Sequence, residues 1–271
     1  MMMTFFGFGA FKPLIMACIV KGTSQEVLLK LLKTCERFVF LVFSLTRRPT
    51  NTQNNHFYRV AHYYYIGEND WDIKNVIENI SYLTDGENEE GVNEGWFGID
   101  KFMDYISDQF KKEQGFYSWN GIRYFIFEYE LNLQEQTKGD SKVNWGTLKK
   151  PYTVEHIYPQ DDNKEYWKKR FGKFTAKKRK MYTHSLGNLL VLSQSKNSEL
   201  QNEGFDYKKK HKDRNKKDAG YFNGSYSEIE VAQFSEWTEK KILERGLKLL
   251  EFMENRWQIE IDEKEKLLGF I

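Results

Sequence analysis

Apolar positions in the first half of the chain recur at a helical interval. Val27, Leu28, Leu31, Leu32, Cys35, Phe38, Val39 and Val42 follow Thr23 and Glu26, which have capping-box spacing, so the pattern predicts a helix with one buried face. Ile73, Val76, Ile77 and Ile80 predict a second helix, and Phe102, Ile106 and Phe110 a third along one side of 100–111. The acidic stretch 85–94, carrying two glycines, reads as the loop between them. Ile122 to Tyr129 is dense in aromatic residues and fits helix or strand by pattern alone; Glu128, Glu130 and Leu131 extend it and favour helix. Such aromatic runs belong more often to a core than to a ligand cage.

The pattern changes after Gln134. Residues 134–144 are polar, with Gly139, Asp140 and Ser141 as turn formers, which places a domain boundary near Val143. This gives a helical region over 1–142 and a second domain over 143–271. In the second domain, Tyr152 to Tyr158 and Leu186 to Ser193 read as strands, with a long loop between them. Gln194 to Asn202 reads as the start of a helix. Near the end, Ser235 is placed to cap a helix whose Trp237, Ile242, Leu249, Leu250, Met253 and Trp257 form a broad apolar face. The expected class is therefore α+β, mostly helical. No internal repeat interrupts this order.

Composition narrows the picture. The 271 residues are 40% hydrophobic and 30% charged, with 21 Phe, 16 Tyr and 7 Trp, which argues against a disordered chain and gives enough apolar surface for a buried core. Cys18 and Cys35 are the only cysteines and lack any zinc spacing, so neither a disulfide scaffold nor a cysteine zinc site is expected and a reducing cytoplasm fits best. Met1 to Val20 is apolar, but Lys12 and Pro13 break the run, so a core helix starting near Pro13 is expected in place of a signal peptide or membrane span. The abrupt apolar start is that expected of the remainder of a longer protein.

Charge supplies the first functional clue. The net charge of +2 conceals a basic block: from Lys164 to Lys217 there are 17 Lys and Arg against 5 Asp and Glu, while the remainder has 24 against 34. Such a block suits a polyanion, because each phosphate it neutralises releases counterions. A solvated lysine-rich loop is the plainer alternative.

Candidate chemistry lies on either side of the loop. Glu155-His156-Ile157-Tyr158-Pro159 sets a carboxylate beside an imidazole at a strand end, and Pro159 turns the chain so that both can face one cleft. Gly187-Asn188-Leu189-Leu190-Val191-Leu192 follows, then Ser195-Lys196-Asn197, with Asn197 nine residues beyond Asn188. The pattern E-H-I-x-P, G-N-L-x-x-L and the second Asn resembles the ββα-metal (His-Me finger) site of HNH nucleases. More narrowly, it is similar to the C-terminal HNH domain of GmrSD-type modification-dependent restriction endonucleases. The F-x-x-K of Phe205 to Lys208 and the W-T-x-x-x-I-x-x-R of Trp237, Thr238, Ile242 and Arg245 extend the resemblance over most of the chain.

The resemblance implies a metal-dependent DNA endonuclease: a helical region followed by a ββα-metal nuclease domain with a C-terminal helix, in defence against phage or modified foreign DNA. Hydrolysis of a phosphodiester needs a base for water, a cation for the phosphate charge and stabilisation of the departing 3′ oxygen. His156 suits the first task, since an imidazole is largely neutral at pH 7. Glu155 and the carbonyl oxygen of Asn197 are hard ligands for Mg²⁺ or Mn²⁺. By resemblance Asn188 joins His156 in the catalytic set and braces the loop around it. His184, Lys208, Lys209 and Lys196 are candidates for contacts to DNA phosphates, the DNA expected to be double-stranded.

Each of these residues also has a plainer reading: His156 as a half-buried strand histidine, Glu155 as an acceptor that orients it, Asn197 as a helix cap. Lys208 to Lys210 read equally as a solvated helix face, and His184 as a loop residue. The ordered set of motifs outweighs these alternatives for the strand-end residues. His56, His62 and His211 show no metal spacing, and the G-x-x-x-x-G-K-[ST] phosphate loop is absent from the sequence. The family's N-terminal module, with its nucleotide-dependent and modification-sensing functions, has no counterpart in this sequence. Two rival readings follow: a remnant that binds nucleic acid without cutting it, and a nuclease subunit that needs a separate sensor or NTPase subunit.

Overall fold

The computed structural model describes residues 8–68, 71–142 and 152–271. Backbone contacts divide the chain into two compact units, Met1–Phe102 and Met103–Ile271. This division falls ahead of the boundary expected at 142/143. Val143, where that boundary was placed, lies outside the described residues. Among the described residues no helix is long and apolar enough to cross a membrane.

The first unit holds α1 (Lys12–Val20), α2 (Gln25–Phe38), α3 (Asn54–Ile66) and α4 (Ile73–Asp85), with α1 packed on α3 and α2 on α4. Pro13 sits in the first turn of α1, where its missing N–H costs nothing. The cap of α2 is Ser24, one residue later than the expected Thr23: Ser24 Oγ accepts from Val27 N, while the Thr23 hydroxyl is bonded to Tyr64 Oη at 3.0 Å. The long-range bond to Tyr64 has drawn Thr23 out of the capping position. Beyond Phe38 the backbone widens into a π-helical turn over Val39–Leu45, in which every residue is buried. Seven residues with only Ser44 polar have no side to offer water, so the expected single buried face gives way to burial all round. Phe11, Phe38 and Phe57 meet at the centre of this unit, with Phe38 edge-on to Phe57 at 5.1 Å. The loop after α4 is closed by Asn88 Oδ1, which accepts from Glu90 N and Val92 N at 3.0 Å each.

Helix α5 (Ile99–Lys111) bridges the division in sequence, and α6 (Ile122–Thr137) belongs to the second unit. The aromatic run of α6 is core, as expected: Tyr124, Phe125, Ile126, Phe127 and Tyr129 are all buried. Strand β1 (Tyr152–His156) pairs antiparallel with β2 (Leu189–Ser193), so that Glu155 opposes Leu190 and His156 opposes Leu189. Both strands are shorter than expected, because residues 186–188 form a 3₁₀ turn before β2 begins. The basic loop between them carries α7 (Glu165–Phe171) and α8 (Ala176–Thr183). Helix α9 (Gln194–Leu200) follows β2 directly, capped by Ser193, and packs against both strands to complete a strand–strand–helix unit.

Helices α10 (Phe205–Lys210), α11 (Tyr226–Ala232), α12 (Glu239–Trp257) and α13 (Lys264–Leu267) complete the chain. Thr238, and not Ser235, stands at the start of α12; Trp237 precedes the helix and is fully buried. Among the described residues a mostly helical α+β fold with one two-stranded sheet results. The core of its sheet region joins Tyr158 and Phe171, stacked at 3.8 Å, with Trp167, Leu190, Leu192, Phe205 and Trp237.

The 3₁₀ turn at 186–188 lies directly against α12. A Cβ on Gly187 would collide with the carbonyl oxygen of Ile242 and lie 2.7 Å from the amide of Gly246. The glycine of G-N-L is therefore required by a backbone-to-backbone approach. Gly187→Ala is expected to destabilise the protein by about 3 kcal/mol or more, since neither colliding group is a movable side chain. Urea unfolding measures this, and a loss below about 1 kcal/mol would show that α12 gives way easily.

Candidate active site

The end of β1 is where charge has been taken out of water. Glu155 is 6% exposed, His156 5% and Lys208 0%. Lys208, on α10, extends its ammonium to Glu155 Oε1 at 2.5 Å and to the carbonyls of His156 and Ile157 at 3.0 and 3.2 Å. All three ammonium donors are thus used, two of them on the backbone that leaves the strand. Burial raises the Glu155 carboxyl above its usual range, and the Lys208 charge opposes that rise. Burial likewise lowers the Lys208 ammonium, against the pull of Glu155. The short charge-assisted bond holds the pair in one geometry in spite of this desolvation.

Asn188 secures the same segment from the other side. Its side chain is fully buried and fully used: Oδ1 accepts from Tyr158 N at 2.8 Å and from Trp237 Nε1 at 2.9 Å. Its Nδ2 donates to the carbonyls of Tyr158 and Thr183, both at 2.8 Å. The main chain adds Ile157 N to Asn188 O at 3.0 Å. Arg245 of α12, 1% exposed, donates from Nη1 to the carbonyls of Gly187 and Leu189 and so fixes the turn that carries Asn188.

His156 meets a second imidazole. Its Nε2 lies 3.1 Å from Nδ1 of His184, and the two rings are nearly perpendicular, 5.0 Å between centres. Its other nitrogen, Nδ1, has the amide nitrogen of Gln160 at 3.4 Å. Tyr117, from the 3₁₀ turn 115–118, lies across both rings at 4.5 and 5.7 Å. Burial, then the neighbouring His184 and Lys208, holds the His156 imidazolium well below its usual range, so the ring is neutral at pH 7. Burial and Lys180 bring His184 down to about 4.

Glu155, His156 and Asn197 line one cleft of about 460 Å³, together with Tyr117, Thr153, Gln160 and neighbouring residues of α9. Asn197 Nδ2 donates to Thr153 Oγ1 at 2.7 Å, a bond that leaves the amide oxygen Oδ1 out of it. Among the described residues, no group of three or more His, Cys, Asp and Glu side chains is arranged to hold a metal ion. The donors at hand are a carboxylate and an amide oxygen, a set that fits Mg²⁺ or Mn²⁺, which keep several waters and take further ligands from a phosphate. None of the described residues lining the cleft is Lys or Arg, so a phosphodiester there would meet amides and hydroxyls and no side-chain cation.

The four residues expected to contact phosphates are placed as follows. Lys208 is consumed by Glu155 and two carbonyls, and His184 is 4% exposed and bonded to His156. Lys209 is 7% exposed and donates to the carbonyls of Phe234 and Ser235. Lys196 is turned to Glu228 and the carbonyl of Gly220. All four are engaged by partners within the fold, whereas Lys168, Lys177 and Lys210 of the same basic block are exposed. Tyr117 and the support given by Trp237 were not foreseen. Tyr117 lies far upstream with no motif around it, and Trp237 was read as part of an apolar helix face and of the terminal motif, neither of which shows its bond to Asn188.

Comparison with known proteins gives one family match. Residues 100–252 match the family described as "GmrSD restriction endonucleases, C-terminal domain". Neither the curated proteins nor the solved structures provide a match.

Proposed function

The chain belongs to the GmrSD restriction endonuclease family through its C-terminal domain, and on that premise we propose that it is a metal-dependent DNA endonuclease of the HNH type with His156 as general base. The observation that carries the reading is the meeting of Glu155, His156 and Asn197 in a single cleft although Asn197 lies on a different element. The substrate is double-stranded DNA, and the setting is defence against phage or modified foreign DNA.

The residues divide the work as follows. His156 Nδ1, where the Gln160 amide in the cleft gives way to a water, takes the proton of that water as its oxygen attacks phosphorus. The departing 3′ oxygen takes its proton from solvent. Glu155 and Asn197 Oδ1 would hold the cation, which supplies the positive charge that the cleft lining lacks. Lys208 keeps Glu155 oriented, and Asn188 with Trp237 keeps the backbone after His156 from drifting. The exposed lysines of the basic block are placed to engage phosphates outside the cleft.

Plasmid cleavage is the direct test. Cutting is expected with Mg²⁺ or Mn²⁺ and none with EDTA. Asn197→Ala should raise the metal concentration needed for half-maximal rate by about 10-fold or more, while Lys168→Ala leaves it unchanged. Cutting that persists in EDTA, or a metal requirement unaltered by Asn197→Ala, overturns the assignment of the ligands. Salt-sensitive binding without cleavage under any divalent metal would instead identify a non-cutting nucleic-acid binder.

A further inference from the structure

We propose that His184 is a positioning residue for His156: it accepts the Nε2–H of His156 on its own Nδ1 and thereby leaves Nδ1 of His156 as the nitrogen that takes a proton in the cleft. The proposal deepens the nuclease reading and rests on His156 being its base.

The argument starts from how two neutral imidazoles share one contact. With 3.1 Å between His156 Nε2 and His184 Nδ1, one nitrogen must carry the hydrogen and the other the lone pair. Gln160 selects the direction. Its amide nitrogen, 3.4 Å from His156 Nδ1, can only donate, so that nitrogen is the acceptor and the proton of the neutral ring sits on Nε2. His184 then accepts on Nδ1 and carries its own hydrogen on Nε2. The low basicity that burial imposes on His184 keeps that lone pair unprotonated at neutral pH.

His184 is held firmly enough for this task. Its backbone N–H donates to Lys180 O at 3.1 Å, and its carbonyl accepts from Phe116 N at 2.9 Å. The latter bond needs the turn at Gly115 to come close: with φ of +44°, a Cβ there would lie 2.7 Å from the His184 carbonyl oxygen. Tyr117 covers the ring from the same turn.

During hydrolysis the balance is simple. An O–H bond of water breaks and its hydrogen passes to His156 Nδ1 as the water oxygen bonds to phosphorus and the bond from phosphorus to the 3′ oxygen breaks. The 3′ oxygen takes a proton from solvent, and the positive charge stays on the His156 ring until that ring returns its proton to solvent. Its Nε2–H remains donated to His184, which takes no proton and serves as the fixed acceptor for the imidazolium. Orientation by the partner of the second ring nitrogen is the general means by which a histidine is committed to one reactive nitrogen.

Nitrogen-15 histidine NMR of the whole protein, without DNA, is the first test. The expected spectrum shows His156 unprotonated at Nδ1 and protonated at Nε2, with a coupling across the hydrogen bond to His184 Nδ1. Two variants then read the consequence. His184→Leu removes the acceptor and should mix the His156 tautomers and lower kcat by about 10- to 100-fold, with KM for plasmid little changed. His184→Asn places an amide oxygen near the former Nδ1 and should restore the single tautomer and most of the lost rate. A wild-type His156 protonated at Nδ1 overturns the proposal, as does equal loss in both variants. If the wild-type protein cuts no DNA under any divalent metal, the nuclease reading falls, while the spectrum still decides the hydrogen bond by itself.

Discussion

His156→Ala is expected to slow plasmid cleavage by about 100- to 10,000-fold, the range over which a positioned general base acts, while DNA binding persists. The ring is buried beneath Tyr117 and joined to His184, so its removal leaves a gap at the cleft wall without exposing a charge. Single-turnover cleavage separates the loss of chemistry from any change in product release, and a gel-shift titration reports binding. A thermal melt of the same variant checks that the fold survives. Equal cutting by variant and wild type would remove His156 from the mechanism, whatever the geometry suggests.

The second large effect is on stability. Asn188→Ala deletes four hydrogen bonds at once and leaves Tyr158 N, Tyr158 O, Thr183 O and the Trp237 indole N–H without their partner. An unsatisfied buried group costs about 1–3 kcal/mol, so a loss of about 5 kcal/mol or more is expected even if some groups find new partners. Trp237 provides the probe, since its fluorescence should report the lost bond directly. Asn188→Asp separates the two halves of the amide: it keeps the two accepted bonds but turns a carboxylate oxygen towards two carbonyls, so it too should destabilise. A loss below about 1 kcal/mol in the alanine variant would mean that water replaces the amide, which its complete burial argues against.

What the amino-acid sequence revealed follows from where the determining forces are local. The helices over 25–38 and 73–85 were legible because their side-chain period is set by neighbours three and four residues away, whereas the aromatic run of 122–137 left helix and strand open by period and was read as helix from Glu128, Glu130 and Leu131. Glu155, His156 and Asn197 were singled out because their order resembles a family motif, and all three line one cleft. The roles of the basic residues were not legible. A lysine looks the same on the page whether it meets water or, like Lys208, a buried carboxylate brought from 53 positions away. Thr23 illustrates the same limit on a smaller scale, since Tyr64 decides its fate. The requirement for Gly187 lies in α12, which comes later in the chain, so the motif shows the residue without the reason for it.

The 3₁₀ turn at 115–118 gives the proposed site a foundation upstream of both strands. Through Phe116 N and Tyr117 it steadies His184, yet in sequence it precedes the polar stretch at 134–144 that looks like a natural place to cut. A fragment excised there would keep its sheet and its helix and lose the floor beneath one imidazole. The proposed site is therefore not a portable cassette that could be grafted by moving the strand–strand–helix piece alone. Any engineering of it would have to begin no later than Gly115.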